Sequence, residues 1–152
     1  MVTPGQPILL VEDSPEDFDM TVRSLQKAGL KNPIHHCSDG DEALDYLHRR
    51  GVYENTKNSP LPGIILLDLN MPGTDGREVL EELKKDDVLK LIPVVVLTTS
   101  GDERDIQDSY GMGANSFIQK PLDFEGFMKA MTRLNDYWFE VVVLPKAVEG
   151  KG

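Results

Sequence analysis

Glu12, Asp13, Asp68, Thr98 and Lys120 each follow or close an apolar run: ILLVED, IILLD, VVVLT and SFIQKP. Three carboxylates, a hydroxyl and an ammonium are the groups needed to hold a divalent cation and to receive a phosphoryl group. Two like charges about 4 Å apart repel by about 4 kcal/mol at an effective dielectric near ~20, so gathering these acids calls for a cation. Oxygen donors without nitrogen or sulfur suit a hard ion such as Mg²⁺, which takes an octahedron of oxygens and keeps several waters. One or two of the carboxylates and the backbone carbonyl of Asn70 can supply the protein's share. Asp68 is the candidate nucleophile. It closes the most apolar run, where the backbone is rigid, and a carboxylate can form an acyl phosphate. The charge of an incoming phosphoryl group is then met by the metal, by Lys120 as a point charge and by the Thr98 hydroxyl as a donor. The Lys120-Pro121 step is expected to be cis, fixing the lysine's backbone.

These residues lie far apart in the chain, so something must bring them together. Apolar runs alternate with helical patterns, which predicts an α/β fold with a doubly wound parallel sheet of five strands and five helices. In such a sheet the carboxyl ends of the strands share one edge, where ligands bind, and crossovers are right-handed. The strands are expected over residues 7–12, 33–37, 64–68, 93–98 and 115–118. Ser14 caps the first helix, Pro15 suits its first position, and Asp17 sits where a capping-box acid belongs. Phe18, Val22 and Leu25 have helical spacing, and Gly29 ends the helix. Asp39 caps the second helix, with Ala43, Leu44 and Leu47 inward and Gly51 as its stop. A third helix starts about Gly76 with Val79, Leu80 and Leu83. A polar one covers 102–111, and the last begins at Asp123. The polar stretch 52–62 is longer than the usual connection of about 2–6 residues and reads as a surface insertion or a partner-contact loop.

The chain has 152 residues, enough for one domain with its own core, and a formal net charge of -10. That acidity argues against nucleic-acid binding. The one cysteine, Cys37, lies in a strand-like run and is expected to be a buried core thiol in a reducing compartment. No apolar run approaches the ~18 residues of a membrane span, and MVTPGQP lacks the features of a secretory signal. A cytoplasmic protein without membrane contact is expected.

ILLVEDS (8–14), IILLDLNMPGTDG (64–76), IPVVVLTTS (92–100) and GANSFIQKP (113–121) together make the chain resemble the receiver domain of two-component response regulators. The resemblance covers about residues 7–136, with residues 1–6 as an N-terminal tail and 137–152 as a C-terminal extension. It implies the flavodoxin-like strand order 2-1-3-4-5 and a phosphoryl group passed from a histidine kinase to Asp68. It also implies that Asp13, Asp68 and the carbonyl of Asn70 bind Mg²⁺, with Glu12 acting through a water. Lys120 would ligate the phosphoryl group, Thr98 would be the switch hydroxyl, and Phe117 the aromatic that turns with it. Two positions depart from the common pattern. Many members carry tyrosine where this chain has Phe117, and alanine or glycine where it has Thr99. In finer detail the long 52–63 loop, DLNMPGTDGREVLEE and the tail resemble cyanobacterial response regulators that serve phytochromes, which implies a phytochrome kinase upstream.

Past the last strand, Phe124, Phe127, Met128, Met131, Leu134 and Trp138 form a helical apolar stripe. Tyr137-Trp138-Phe139 cannot all face one core, and exposed aromatics mark contacts. A homodimer through Phe127, Met131, Tyr137, Trp138 and Phe139 is therefore expected, with 146–152 disordered. The leading expectation is a stand-alone receiver that signals by protein contact and has no activity beyond losing its own phosphate. A phosphorelay intermediate that passes phosphate to a histidine phosphotransfer protein is the alternative. A phosphohydrolase of the haloacid-dehalogenase type would need an acid where Asn70 stands. A flavin module would need a phosphate loop in place of EDSPED.

Overall fold

The computed structural model describes residues 6–54, 60–69, 76–98, 103–121 and 123–137. Among these, five parallel strands pair in the order 2-1-3-4-5: β1 (Ile8–Val11), β2 (Ile34–Cys37), β3 (Ile64–Leu67), β4 (Val94–Thr98) and β5 (Ser116–Gln119). Helices α1 (Pro15–Lys27), α2 (Gly40–His48), α3 (Gly76–Lys84), α4 (Glu103–Gly111) and α5 (Phe124–Asn135) connect and follow them.

β1, β3 and β4 are wholly buried because both faces of the sheet are covered, which is why they read as unbroken apolar runs. Alternate residues point to opposite faces, so each strand serves two cores. Leu9, Val11, Ile65, Leu67, Val94 and Val96 meet Ala43, Tyr46 and Leu47 of α2 and Val79, Leu80 and Leu83 of α3. Ile8, Leu10, Ile64, Leu66, Val95 and Leu97 meet Leu25 of α1 and Phe127, Met131 and Leu134 of α5. Cys37 is buried in the first core, as expected for a structural thiol.

Most of the punctuation signals act as the sequence indicates; the exceptions are the stop of α2, the Lys120–Pro121 bond and the acid of the α1 capping box. Ser14 caps α1 by accepting from the Asp17 N–H, and α1 ends with Gly29 at φ 108°. There the Leu30 N–H reaches the Leu25 carbonyl, so left-handed glycine closes the last turn. Asp39 caps α2 and Asp123 caps α5. However, α2 stops at His48 rather than at Gly51: Arg49 takes the left-handed conformation (φ 55°), and the Arg50 N–H returns to the Asp45 carbonyl. Leu47 is the last buried residue of α2, so the helix turns away where its apolar face runs out. Gly51 instead opens a 3-10 turn, Gly51–Tyr53.

The second exception is the Lys120–Pro121 peptide bond, which is trans. Trans is the ordinary state of an X–Pro bond. The lysine's backbone is anchored instead by its N–H, which donates to the Thr98 carbonyl at 2.6 Å. No helix among the described residues is long and apolar enough to cross a membrane.

Candidate functional site

β1 and β3 are hydrogen-bonded neighbours, and each continues one residue past its regular pairing. The Glu12 N–H donates to Cys37 O at 3.0 Å, and the Asp68 N–H donates to Val11 O at 3.0 Å. Those bonds hold Glu12 and Asp68 side by side at the carboxyl edge of the sheet, with Asp13 next. One oxygen of each of Glu12, Asp13 and Asp68 lies within 4.8 Å of the others. Glu12 and Asp68 are buried, at 2% and 8% exposed, whereas Asp13 is exposed.

Lys120, 4% exposed, reaches into this group from the end of β5. Its Nζ donates to Glu12 Oε1, to Asp17 Oδ2 at 3.3 Å, and lies 4.0 Å from Asp68 Oδ2. Thr98 ends β4, is fully buried, and accepts from the Lys120 backbone through its carbonyl. Phe117 is half-buried in β5 against the first core, and its N–H donates to the Tyr110 hydroxyl at 3.2 Å. The structure thus brings Glu12, Asp13, Asp68, Thr98 and Lys120 to one edge. Asn70, Trp138 and Phe139 lie outside the described residues, as does Thr99.

Burial pushes the Glu12 carboxyl up to about 7, against the opposing hydrogen bond and charge of Lys120. Burial alone would lower the Lys120 ammonium. The Glu12 hydrogen bond and the charges of Asp68, Glu12 and Asp17 outweigh it, so the group is held above its ordinary value. Lys120 is therefore a dependable cation, and the Glu12 carboxyl keeps its proton up to about 7. The clustered carboxyl oxygens of Glu12, Asp13 and Asp68 are hard donors, a set that fits a divalent cation such as Mg²⁺.

Three site features were not legible in the chain. The Ser14–Asp17 spacing predicts Asp17 as the acid of a capping box. Only the Ser14 half of that box forms, while the Asp17 carboxylate turns to Lys120. The Ser14 N–H is taken by Glu12 Oε2 at 3.2 Å. Aspartate is one methylene shorter than the glutamate such boxes use, and that shorter reach is the sequence signal against a complete box. The second is Gly76: a Cβ there would lie 2.4 Å from the Asp68 carbonyl oxygen, so only glycine lets the start of α3 approach the backbone of the candidate nucleophile. The third is His36, whose Nε2 meets the Glu12 carbonyl at 2.8 Å.

Part of the expected dimer stripe belongs to the core instead. Phe127 and Met131 are 2% and 0% exposed and pack beneath the sheet in the second core, so neither is available to a partner. The helix faces the sheet through these residues, and its exposed aromatics are Phe124 and, just past its end, Tyr137.

Residues 8–132 match the family described as the response regulator receiver domain. Response regulator Rcp1 of Synechocystis sp. is 42% identical over 144 residues, covering 95% of this chain and 96% of that protein. Among solved structures, the Mn²⁺-bound form of Rcp1 superposes with a TM-score of 0.86 at 41% identity, covering 93% of this chain and 99% of that one. The phosphorylated cyanobacterial phytochrome response regulator RcpA gives a TM-score of 0.87 at 38% identity, with the same coverage of 93% and 99%.

Proposed function

The chain belongs to the response regulator receiver domain family, and from that premise we propose that it is a phosphorylation switch whose acceptor is Asp68. The observation that carries this reading is the meeting of three carboxylates within 4.8 Å with Lys120 Nζ 4.0 Å from Asp68 Oδ2. An Asp68 oxygen forms the new bond to phosphorus while the P–N bond of a kinase phosphohistidine breaks, the nitrogen keeping the electron pair. Asp13, Asp68 and the carbonyl of Asn70 would hold Mg²⁺, with Glu12 acting through a water. Bound there, the metal supplies positive charge against the phosphoryl oxygens. Lys120 exchanges part of its pairing with Glu12 and Asp17 for a phosphoryl oxygen. Thr98, on the neighbouring strand end, is the hydroxyl that registers the new group, and Phe117 is the aromatic that moves with it.

The donor is a histidine kinase. The likeness to a protein titled a phytochrome response regulator supports a phytochrome as that kinase. Family members are signalling proteins rather than enzymes with a turned-over substrate, so the output is contact with a downstream protein. Incubation with Mg²⁺ and acetyl phosphate, read by intact mass, tests the reading. The parent gains one phosphoryl group, and neither Asp68→Asn nor the parent in EDTA does. A gain in the Asp68→Asn variant equal to that of the parent would sink it.

A further inference from the structure

The peptide that joins Glu12 to Asp13 links two of the three carboxylates, so its plane governs where both side chains point. Its carbonyl lies just past Val11, the last residue of β1, beyond the regular ladder. That carbonyl meets His36 Nε2 at 2.8 Å. A carbonyl oxygen only accepts, so Nε2 carries the proton of this bond. The ring is held in place for it: His36 stacks on Phe18 of α1 with centroids 3.8 Å apart and planes 15° from parallel. On the other side, the Ser14 N–H at the start of α1 holds Glu12 Oε2. The Glu12 N–H is tied to Cys37 of β2. Glu12 is thus bracketed by β2 and α1, and His36 closes the bracket at the carbonyl.

The fold by itself does not ask for histidine here. β2 is an edge strand, and His36 is half-buried on it. A phenylalanine would suit the strand and stack equally well on Phe18. What it would lack is the N–H.

We propose that His36 is a positioning residue for the divalent cation: by donating to the Glu12 carbonyl it fixes the Glu12–Asp13 peptide and presets the exposed Asp13 carboxylate beside Asp68. The inference rests on the reading of this site as a Mg²⁺-dependent phosphoacceptor. Like carboxylates at this separation repel one another, so a pinned peptide that already holds Asp13 beside Asp68 lowers the ordering needed when a cation arrives.

The test compares the full chain with His36→Phe, which keeps the stacked ring without a donor, and His36→Gln, which restores an amide donor. Each is titrated with Mg²⁺ by calorimetry. Each is also examined metal-free for the ¹⁵N–¹H resonance of the Asp13 amide and for thermal melting in EDTA. The expected result is about ten-fold weaker Mg²⁺ binding in His36→Phe, a shifted Asp13 amide, recovery of both in His36→Gln, and similar melting of all three. Parent-like affinity or an unmoved Asp13 amide in His36→Phe overturns the proposal, as does early melting as the sole change. Equal loss in both variants overturns it too, because the donor would then not matter. A parent that takes up no Mg²⁺ overturns the reading of the site and the proposal with it, and that outcome shows before any variant is compared.

Discussion

At the scale of single residues, the buried acid beside Lys120 makes stability depend on pH. Burial raises Glu12 from 4.5 to about 7. Between those values the folded protein keeps a proton that the unfolded chain has released, so raising the pH favours unfolding. The contribution is fully present below 4.5 and is lost as pH rises through about 7. In EDTA, chemical denaturation should show stability falling across that window, and Glu12→Gln should flatten the slope. Under the proposed metal site, Mg²⁺ at neutral pH should restore stability, because a site assembled from distant strand ends exists only in the folded chain. Cys37 gives a second prediction. Burial, with the charges of Glu42 and Asp39, pushes its thiol up to about 12. The thiolate is the reactive form, so iodoacetamide at pH 8 should leave the native protein unlabelled and label it only in denaturant.

At the scale of elements, α5 shows how a stripe divides between core and surface. Phe127, Met131 and Leu134 seal the face of the sheet made by Ile8, Leu10, Ile64 and Leu66. Phe127→Ala should therefore cost about 3–5 kcal/mol, read as a lower denaturation midpoint with an unchanged slope. Phe124, 63% exposed, should tolerate the same change within about 0.5 kcal/mol. On the opposite face α2 and α3 do the corresponding work through Tyr46, Leu47, Leu80 and Leu83. Gly76 adds a constraint of its own, because α3 must start against the backbone of Asp68.

At the scale of the whole molecule, apolar surface among the described residues is left uncovered at Val52, Leu91 and Phe124, and also beside β5 and the end of α5. A groove of about 420 Å³ there is lined by residues including Tyr110, Phe117, Ile118 and Tyr137. Tyr137 is 55% exposed. Together with the aromatic sequence Tyr137-Trp138-Phe139, this supports the proposal of a homodimer through the C-terminal extension. Sedimentation of the full chain should give twice the protomer mass. Tyr137→Arg, or removal of residues 137–152, should give a folded monomer. A full chain that stays monomeric with and without acetyl phosphate would exclude the dimer.

The local rules were readable along the chain wherever one residue decides one thing. Ser14, Asp39 and Asp123 cap helices because a short oxygen-bearing side chain before an apolar period has a backbone N–H to serve. Gly29 ends α1 because glycine adopts positive φ freely. Unbroken apolar runs marked strands buried on both faces, and a parallel sheet sends their ends to one edge. The convergence of Glu12, Asp13, Asp68, Thr98 and Lys120 therefore followed from residue types and order. Strand order 2-1-3-4-5 came from resemblance to a family, since periodicity does not say which strands are neighbours. Tertiary structure alone decided the remainder. Whether Phe127 faces core or solvent depends on how α5 is rotated over the sheet. Whether Asp17 caps α1 or pairs with Lys120 depends on a residue 103 positions away. His36 meets the Glu12 carbonyl because β2 lies beside β1, a contact between strand ends separated by a whole helix. Such choices are settled by packing and desolvation among distant segments, and no short stretch of sequence contains both partners.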